Sequence, residues 1–319
     1  MTGRIYTADH KVYDLPPLLE WQVTHTGTVP CDSFSVTFPY DGSMQQAIYL
    51  ASTFSALENG NLMLRGIIDE YEIELGTDGL RATISGRGYA ARLLDNESRA
   101  MTYQAVTLKD LIQNHAVPYG LTCAEVADLR GENYTVPAGT SQWKVLVDFC
   151  ETWGGFQPRF LRNGNLVATP DAFPAQTLRI DEESPVLQCR LLVDHYGVLS
   201  EVLVINKQKN TSYWEKNEDW LQRGGQCRRV LYMPGSTTWE TLRRTGQALL
   251  EKSRKDERIV ELTLPGSFLA FPGDRVALNL PWLGVNATWK VAAAESTCSA
   301  RKGTTVTLTL KECEASVAE

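Results

Sequence analysis

The chain reads as mainly β with an α+β insert, and three observations predict this. Apolar residues recur with a period of two between Leu19 and Ser85, the period becomes helical between Thr107 and Trp153, and alternation returns between Val202 and Leu310. A chain of 319 residues exceeds the usual size of one core, so the three stretches are expected to be separate domains, 1–98, 99–172 and 173–319.

The first stretch is almost all strand. Leu19, Trp21 and Val23 alternate with Glu20 and Gln22, and Phe34, Val36 and Phe38 alternate with Ser33, Ser35 and Thr37. Further on, Tyr71, Ile73 and Leu75 alternate with Glu70, Glu72 and Glu74, which predicts a strand with one apolar face and one wet, acidic face. Upstream, Leu62, Leu64 and Ile68 fall on the opposite parity, so a β-bulge is expected near Gly66. A tight turn at Gly76-Thr77-Asp78-Gly79 leads into a return strand with Leu80, Ala82 and Ile84 on one face and Arg81, Thr83 and Ser85 on the other. Gly86 and Gly88 are then expected to turn the chain out of the sheet by tolerating positive φ, ahead of a short helix from Ala90 to Leu94. As a phosphate loop the same pattern is weak, because Ala91 stands in the third glycine's place and no βαβ unit follows. These strands would make a small β-barrel or sandwich.

In the second stretch Thr107 can cap a helix carrying Leu108, Leu111, Ile112 and His115, stopped by Pro118 and Gly120. A second helix starts near Ser141, places Leu146, Phe149, Cys150 and Trp153 on one stripe, and ends at Gly154-Gly155. Strands over 156–161 and 166–169 are joined by Arg162-Asn163-Gly164-Asn165, and Asn-Gly is a strong hairpin signal.

The third stretch opens with a linker containing Pro174 and Asp181-Glu182-Glu183. It then gives strands around Val202 and Val204, Val260 to Leu264, Val276 to Leu280, and Val306 to Leu310. A helix over about 238–254 is expected from a capping box at Thr237 and Glu240, with Leu242, Leu249 and Leu250 inward. The two β-rich ends suggest a duplication at the level of fold, without a residue-level repeat.

Composition narrows the function. With 31 basic against 38 acidic residues the net charge is −7, which argues against a surface that grips nucleic-acid phosphates. Seven scattered cysteines form neither a C-x-x-C site nor a compact disulfide framework, which fits folding in a reducing compartment. The amino terminus lacks an apolar targeting core and no run approaches the ~20 apolar residues of a membrane span, so synthesis in a cytoplasm with no membrane partner is expected. The four histidines lack zinc-hydrolase spacing, and His115 on its apolar stripe reads as a core residue. Asp194-His195-Tyr196 with Ser200 has no nucleophile elbow around it. Trp214, Trp220, Trp239, Trp282 and Trp289 could floor a sugar groove, but such residues are more often core or interface anchors. No catalytic, cofactor or metal site is expected.

The order and spacing of several segments resemble the baseplate hub proteins of contractile phage tails, the group that includes the phage Mu tail protein P and the late control protein D family. The segments are Phe34 to Phe38; Leu64 to Asp69, with Gly66 and Asp69; Ala82 to Gly88, with Ser85, Gly86, Arg87 and Gly88; Tyr134 to Leu146, with Trp143; Tyr232 to Leu250; Leu262 to Gly266; and Phe271 to Val276, with Pro272, Gly273 and Asp274. The resemblance covers nearly the whole chain. It implies two β-barrel-like domains flanking a small LysM-like α+β domain, the last domain carrying one long helix. It further implies a homotrimer whose two barrels per chain form a six-fold-like ring between a hexameric tail tube protein and a trimeric spike protein, among other baseplate proteins. Genome DNA would pass through unbound, and Glu70, Glu72 and Glu74 would face the channel. Assembly would take place in the host bacterial cytoplasm, ahead of incorporation into the virion tail baseplate. With no room for a fused lysozyme or spike domain, a separate puncturing partner is expected. The alternative that the insert raises is a cell-wall-binding or peptidoglycan-degrading tail component.

Overall fold

A computed structural model describes residues 1–27, 31–77, 79–170, 176–235 and 237–312. It is mainly β, with 49% strand against 19% helix. No described helix is long and apolar enough to cross a membrane. The chain divides into two compact units. The first is Met1–Leu178 with Leu264–Arg275 and Val291–Leu308, and the second is Arg179–Thr263 with Val276–Lys290 and the residues from Thr309 onward.

The first unit opens with β1 (Thr2–Thr7), β2 (Val12–Asp14), β3 (Glu20–Thr26) and β4 (Ser33–Pro39), followed by a short helix α1 (Gln45–Leu50). Next come β5 (Ala51–Glu58), β6 (Asn61–Gly76), β7 (Gly79–Gly88) and α2 (Ala91–Leu94). The strands lie in the order β3-β4-β7-β6-β5-β1-β2, all antiparallel. The alternation in β4 works as its spacing demands: Phe34, Val36 and Phe38 are buried and pack with Ile5, Val23, Phe54, Leu64 and Ile84. The Phe34 and Phe54 rings stack with centroids 4.4 Å apart.

The phase slip in β6 occurs twice, and not at Gly66. Register shifts leave Met63 and Asp69 as the extra residues, since Leu62 faces Leu57 and Leu64 faces Ala56, while Ile68 faces Gly86 and Glu70 faces Ser85. Asp78, in the expected turn, lies outside the described residues; Gly79 beside it has φ +104°.

The insert contains β8 (Met101–Thr107), α3 (Leu108–His115), β9 (Cys123–Val126), β10 (Arg130–Val136), α4 (Gln142–Gly154), β11 (Arg159–Phe160) and β12 (Leu166–Ala168). Thr107 and Asp110 form a reciprocal capping box at α3, and the Ser141 hydroxyl accepts the Lys144 N–H at α4. Sequence periodicity missed β8, which the helical pattern after it obscured; it pairs antiparallel with β10, across α3 in sequence. Leu108, Leu111, Val145, Leu146, Phe149 and Leu166 make a core of their own. The Asn-Gly hairpin joins β11 to β12, with Gly164 at φ +82°.

The remaining elements are β13 (Thr177–Ile180), β14 (Gln188–Val193), β15 (Glu201–Asn206), β16 (Thr211–Lys216), α5 (Glu218–Gln222) and β17 (Arg228–Tyr232). They continue with α6 (Trp239–Arg254), β18 (Arg258–Pro265), β19 (Arg275–Leu280), β20 (Val285–Ser299) and β21 (Gly303–Glu312). Pro174, expected in the linker, lies outside the described residues, as does Cys313. In the second unit β14 pairs antiparallel with β18, and β16-β15-β17 form a separate sheet under α6. Its core joins Val202 and Val204 to Leu242 and Leu250. The cap of α6 is Thr238, whose hydroxyl accepts the Thr241 N–H, rather than Thr237 with Glu240; Glu240 instead pairs with Arg243 and Arg244. In the first unit Ala293 to Cys298 of β20 pair antiparallel with Thr26 to Trp21 of β3.

Candidate assembly surfaces

Six of the residues singled out in the sequence meet at one crossing of β6 and β7. Gly66 faces Gly88, Ile67 faces Arg87, Ile68 faces Gly86 and Glu70 faces Ser85. Neither Gly86 nor Gly88 has the expected positive φ; β7 runs through Gly86 and ends at Gly88, just before the turn into α2. Their requirement is space. A Cβ on Gly86 would collide with the Ile67 carbonyl oxygen and stand 2.9 Å from two ring carbons of Phe34. One on Gly66 would collide with the Arg87 carbonyl oxygen and stand 3.1 Å from the same ring. Two glycines on neighbouring strands thus let Phe34 press against bare backbone.

Arg87 fixes the bulge. Its Nε and Nη2 donate to the two carboxylate oxygens of Asp69 at 2.7 and 3.0 Å, and its Nη1 and Nη2 donate to Asp95 at 3.0 and 2.8 Å. The guanidinium therefore ties the extra residue of β6 to the residue that ends α2. Hydrogen bonds donated to both carboxylates push the Arg87 pKa up, and the Arg87 hydrogen bond holds the Asp95 carboxyl below its ordinary value.

Beyond the bulge, β6 is an edge strand with a half-exposed apolar side, while β7 beside it stays paired to β4 as far as Arg81, with Ala82 and Ile84 buried. The glutamates alternate with Tyr71, Ile73 and Leu75 as the sequence predicts, but the apolar set is not buried: Tyr71 is 43% exposed, Ile73 40% and Leu75 78%, with Leu80 opposite Leu75 at 37%. The cause lies in β5, whose pairing with β6 reaches no farther than Ile67. From there to Gly76 no described strand occupies the outer edge of β6, and its backbone N–H and C=O groups point outward. Glu70, Glu72 and Glu74 stand opposite Ser85, Thr83 and Arg81.

Pro272, Gly273 and Asp274 make a turn elsewhere in the first unit. Gly273 has φ +99°, the Asp274 N–H donates to the Phe271 carbonyl, and the Asp274 carboxylate accepts the Phe271 and Gln176 N–H groups at 2.9 and 3.1 Å. Phe271 and Phe268 hold the buried His25 ring edge-on, and His25 Nδ1 lies 2.8 Å from Asp32 Oδ2. Trp143 is buried in the insert against Phe160, far in sequence from both clusters.

His115 is buried in the insert, as its stripe predicts. Gln142 Oε1 can only accept, so His115 Nδ1 donates to it at 2.6 Å, and Nε2 accepts from the Tyr103 hydroxyl at 3.0 Å. Burial pushes its pKa down. The other catalytic candidates do not converge. Ser200 Oγ donates to the Cys227 carbonyl and accepts the Cys227 N–H, whereas His195 lies against Glu257 and Trp220. Burial raises the thiols of Cys31 and Cys150, to about 11 and about 12, which leaves them protonated and unreactive. Trp289 is buried, Trp239 packs on Tyr213, and Trp214 lies on the outer face of its sheet, so these indoles share no groove.

No family model and no curated protein matches the sequence. Solved structures do match, end to end. The tail protein from Neisseria meningitidis MC58 superimposes with a TM-score of 0.76 at 19% identity, covering 98% of this chain and 96% of that one. The 43 kDa tail protein of prophage MuSo2 from Shewanella oneidensis gives 0.78 at 14% identity, over 97% of each chain. The Escherichia coli c3393 protein, a type VI secretion component described as similar in structure to the T4 bacteriophage tail proteins gp27 and gp5, gives 0.55 at 10% identity over 93% of this chain and 74% of that one. The chain has the fold of these tail proteins.

Proposed function

We propose that the chain is a non-enzymatic hub subunit in the baseplate of a contractile phage tail or related injection particle. Three copies, each contributing β-rich domains at 1–98 and 173–319 with a LysM-like insert at 99–172 between them, would close into a ring. Six similar domains then match a hexameric tail tube protein on one side and a trimeric spike protein on the other, because a three-fold axis satisfies both. Other baseplate proteins would surround the ring, and assembly would take place in the host bacterial cytoplasm before incorporation into the tail. The observation that carries this reading is the end-to-end likeness to two tail proteins, with nearly all of both chains included.

The β6 edge fits the same role. Glu70, Glu72 and Glu74 would line the channel, where an acidic wall repels passing DNA rather than holding it. The half-exposed apolar side of β6 would then be covered by neighbouring protein. The motif residues Gly66, Asp69, Ser85, Gly86, Arg87 and Gly88 would set the path of β6 along β7, with Trp143 anchoring the insert and Pro272, Gly273 and Asp274 shaping the end of the first unit. Light scattering of the purified chain should give a species of three chain masses, and negative-stain images should show rings with a central hole. A chain that stays monomeric at every concentration and with tube and spike proteins added would overturn the reading.

A further inference from the structure

Among the described residues, two strands of the second unit end their sheets with no strand on the outer side: β14 pairs with β18 alone, and β17 with β15 alone, to which it runs parallel. Each therefore presents a row of outward N–H and C=O groups, the arrangement that sheet proteins normally cover or blunt. Neither strand contains proline. Both carry exposed apolar side chains, Leu192 and Val193 on β14 and Val230 and Tyr232 on β17.

Their surroundings have opposite charge. Just before β14, an open cavity of about 280 Å³ is lined by Asp181, Glu182, Val186, Leu187, Leu280 and Trp282. Leu187 and Trp282 are 59% and 60% exposed there. Glu182 has no hydrogen-bond or ion-pair partner among the described residues. β17 opens instead with Arg228-Arg229. Arg228 is held by Glu201 at 2.7 Å and lies over the Trp214 ring, while Arg229 has no such partner among the described residues. The two edges belong to different sheets, and neither has a partner strand on its outer side among the described residues.

We propose that these edges are the two halves of a contact between successive copies of this chain, the outer edge of β17 from one copy adding a strand beside β14 of the next. The pairing runs parallel, which sets Arg229 against the carboxylates that precede β14 and lays Val230 and Tyr232 along its apolar residues. Because the edges differ, the contact is head-to-tail, which excludes a two-fold dimer and gives a ring when its rotation closes. The inference rests on the ring reading above and supplies one interface for it.

The test uses the full chain and charge exchange. Glu182→Lys with Glu183→Lys, or Arg229→Glu alone, should each weaken self-association about tenfold or more in light scattering, with unchanged melting at concentrations where parent and variant are both monomeric. Combining all three substitutions should restore it to within about threefold of the parent. As a second readout, a photo-reactive benzoylphenylalanine in place of exposed Leu187, in a mixture of isotopically labelled and unlabelled chains, should cross-link between copies to residues 228–232. Trimers indifferent to every exchange, or cross-links landing elsewhere on the neighbour, would overturn this contact and leave the ring standing. Monomers throughout would overturn both.

Discussion

At the strand crossing, the fold asks residue 86 for nothing larger than a hydrogen. Gly86→Ala drives a methyl group into the Ile67 carbonyl and the Phe34 ring, and the collision is with backbone, which cannot swing aside. The expected loss is about 2 kcal/mol or more in a urea titration. Gly76→Ala is the matched control, with no atom within 4 Å of the added carbon and no positive φ, and should stay within about 0.5 kcal/mol of the parent. Arg87 offers a second comparison. Removing it leaves Asp69 and Asp95 facing the same vacated space, and because the site is over a third exposed, Arg87→Met should cost only about 1–2 kcal/mol. Arg87→Lys should recover part of that loss, since a point charge cannot reproduce the bidentate fork.

Elements were legible wherever a repeating pattern met an ordinary boundary, as in β4, α3, α4 and the Asn-Gly hairpin. They were misread where a contact far away in sequence decides the outcome. A period-two pattern shows that Tyr71, Ile73 and Leu75 share a face; it does not show that β5 stops short of them. Glycine's two uses, positive φ and close approach, look identical in a sequence, and only the neighbouring strand tells them apart at Gly86. The α6 cap was missed by one residue because adjacent threonines offer the same hydroxyl. Thr238→Ala should therefore cost about 1 kcal/mol and Thr237→Ala much less, by thermal melting. In the insert, burial lowers the pKa of His115 below its unfolded value near 6.5. The unfolded chain thus binds the proton more readily, so the stabilisation is present above about pH 6.5 and declines as pH falls toward the lower folded value. Urea midpoints at pH 7.5 and 5.5 should differ in the parent, and the difference should shrink in His115→Asn.

For the whole molecule, the candidate surface was only partly readable. The glutamate stripe and the glycine motif were visible in the sequence, while the half-exposed apolar side of β6 and the unpaired edges emerge only once strands have neighbours. If the acidic stripe lines a channel, replacing Glu70, Glu72 and Glu74 with lysine should convert a ring indifferent to DNA into one that retains it. A gel-shift assay at low salt should show that retention for the variant alone, and its loss as salt rises should mark it as electrostatic.

One feature of chain order reaches back to synthesis. Trp21 to Thr26 find their strand partner in Ala293 to Cys298, so the first unit is missing a strand until the chain as far as Cys298 has left the ribosome. A prematurely terminated product cannot finish this unit and is left with an open edge that proteases and chaperones recognise. If the chain is the ring subunit proposed above, only copies translated past Cys298 could complete this unit before assembly.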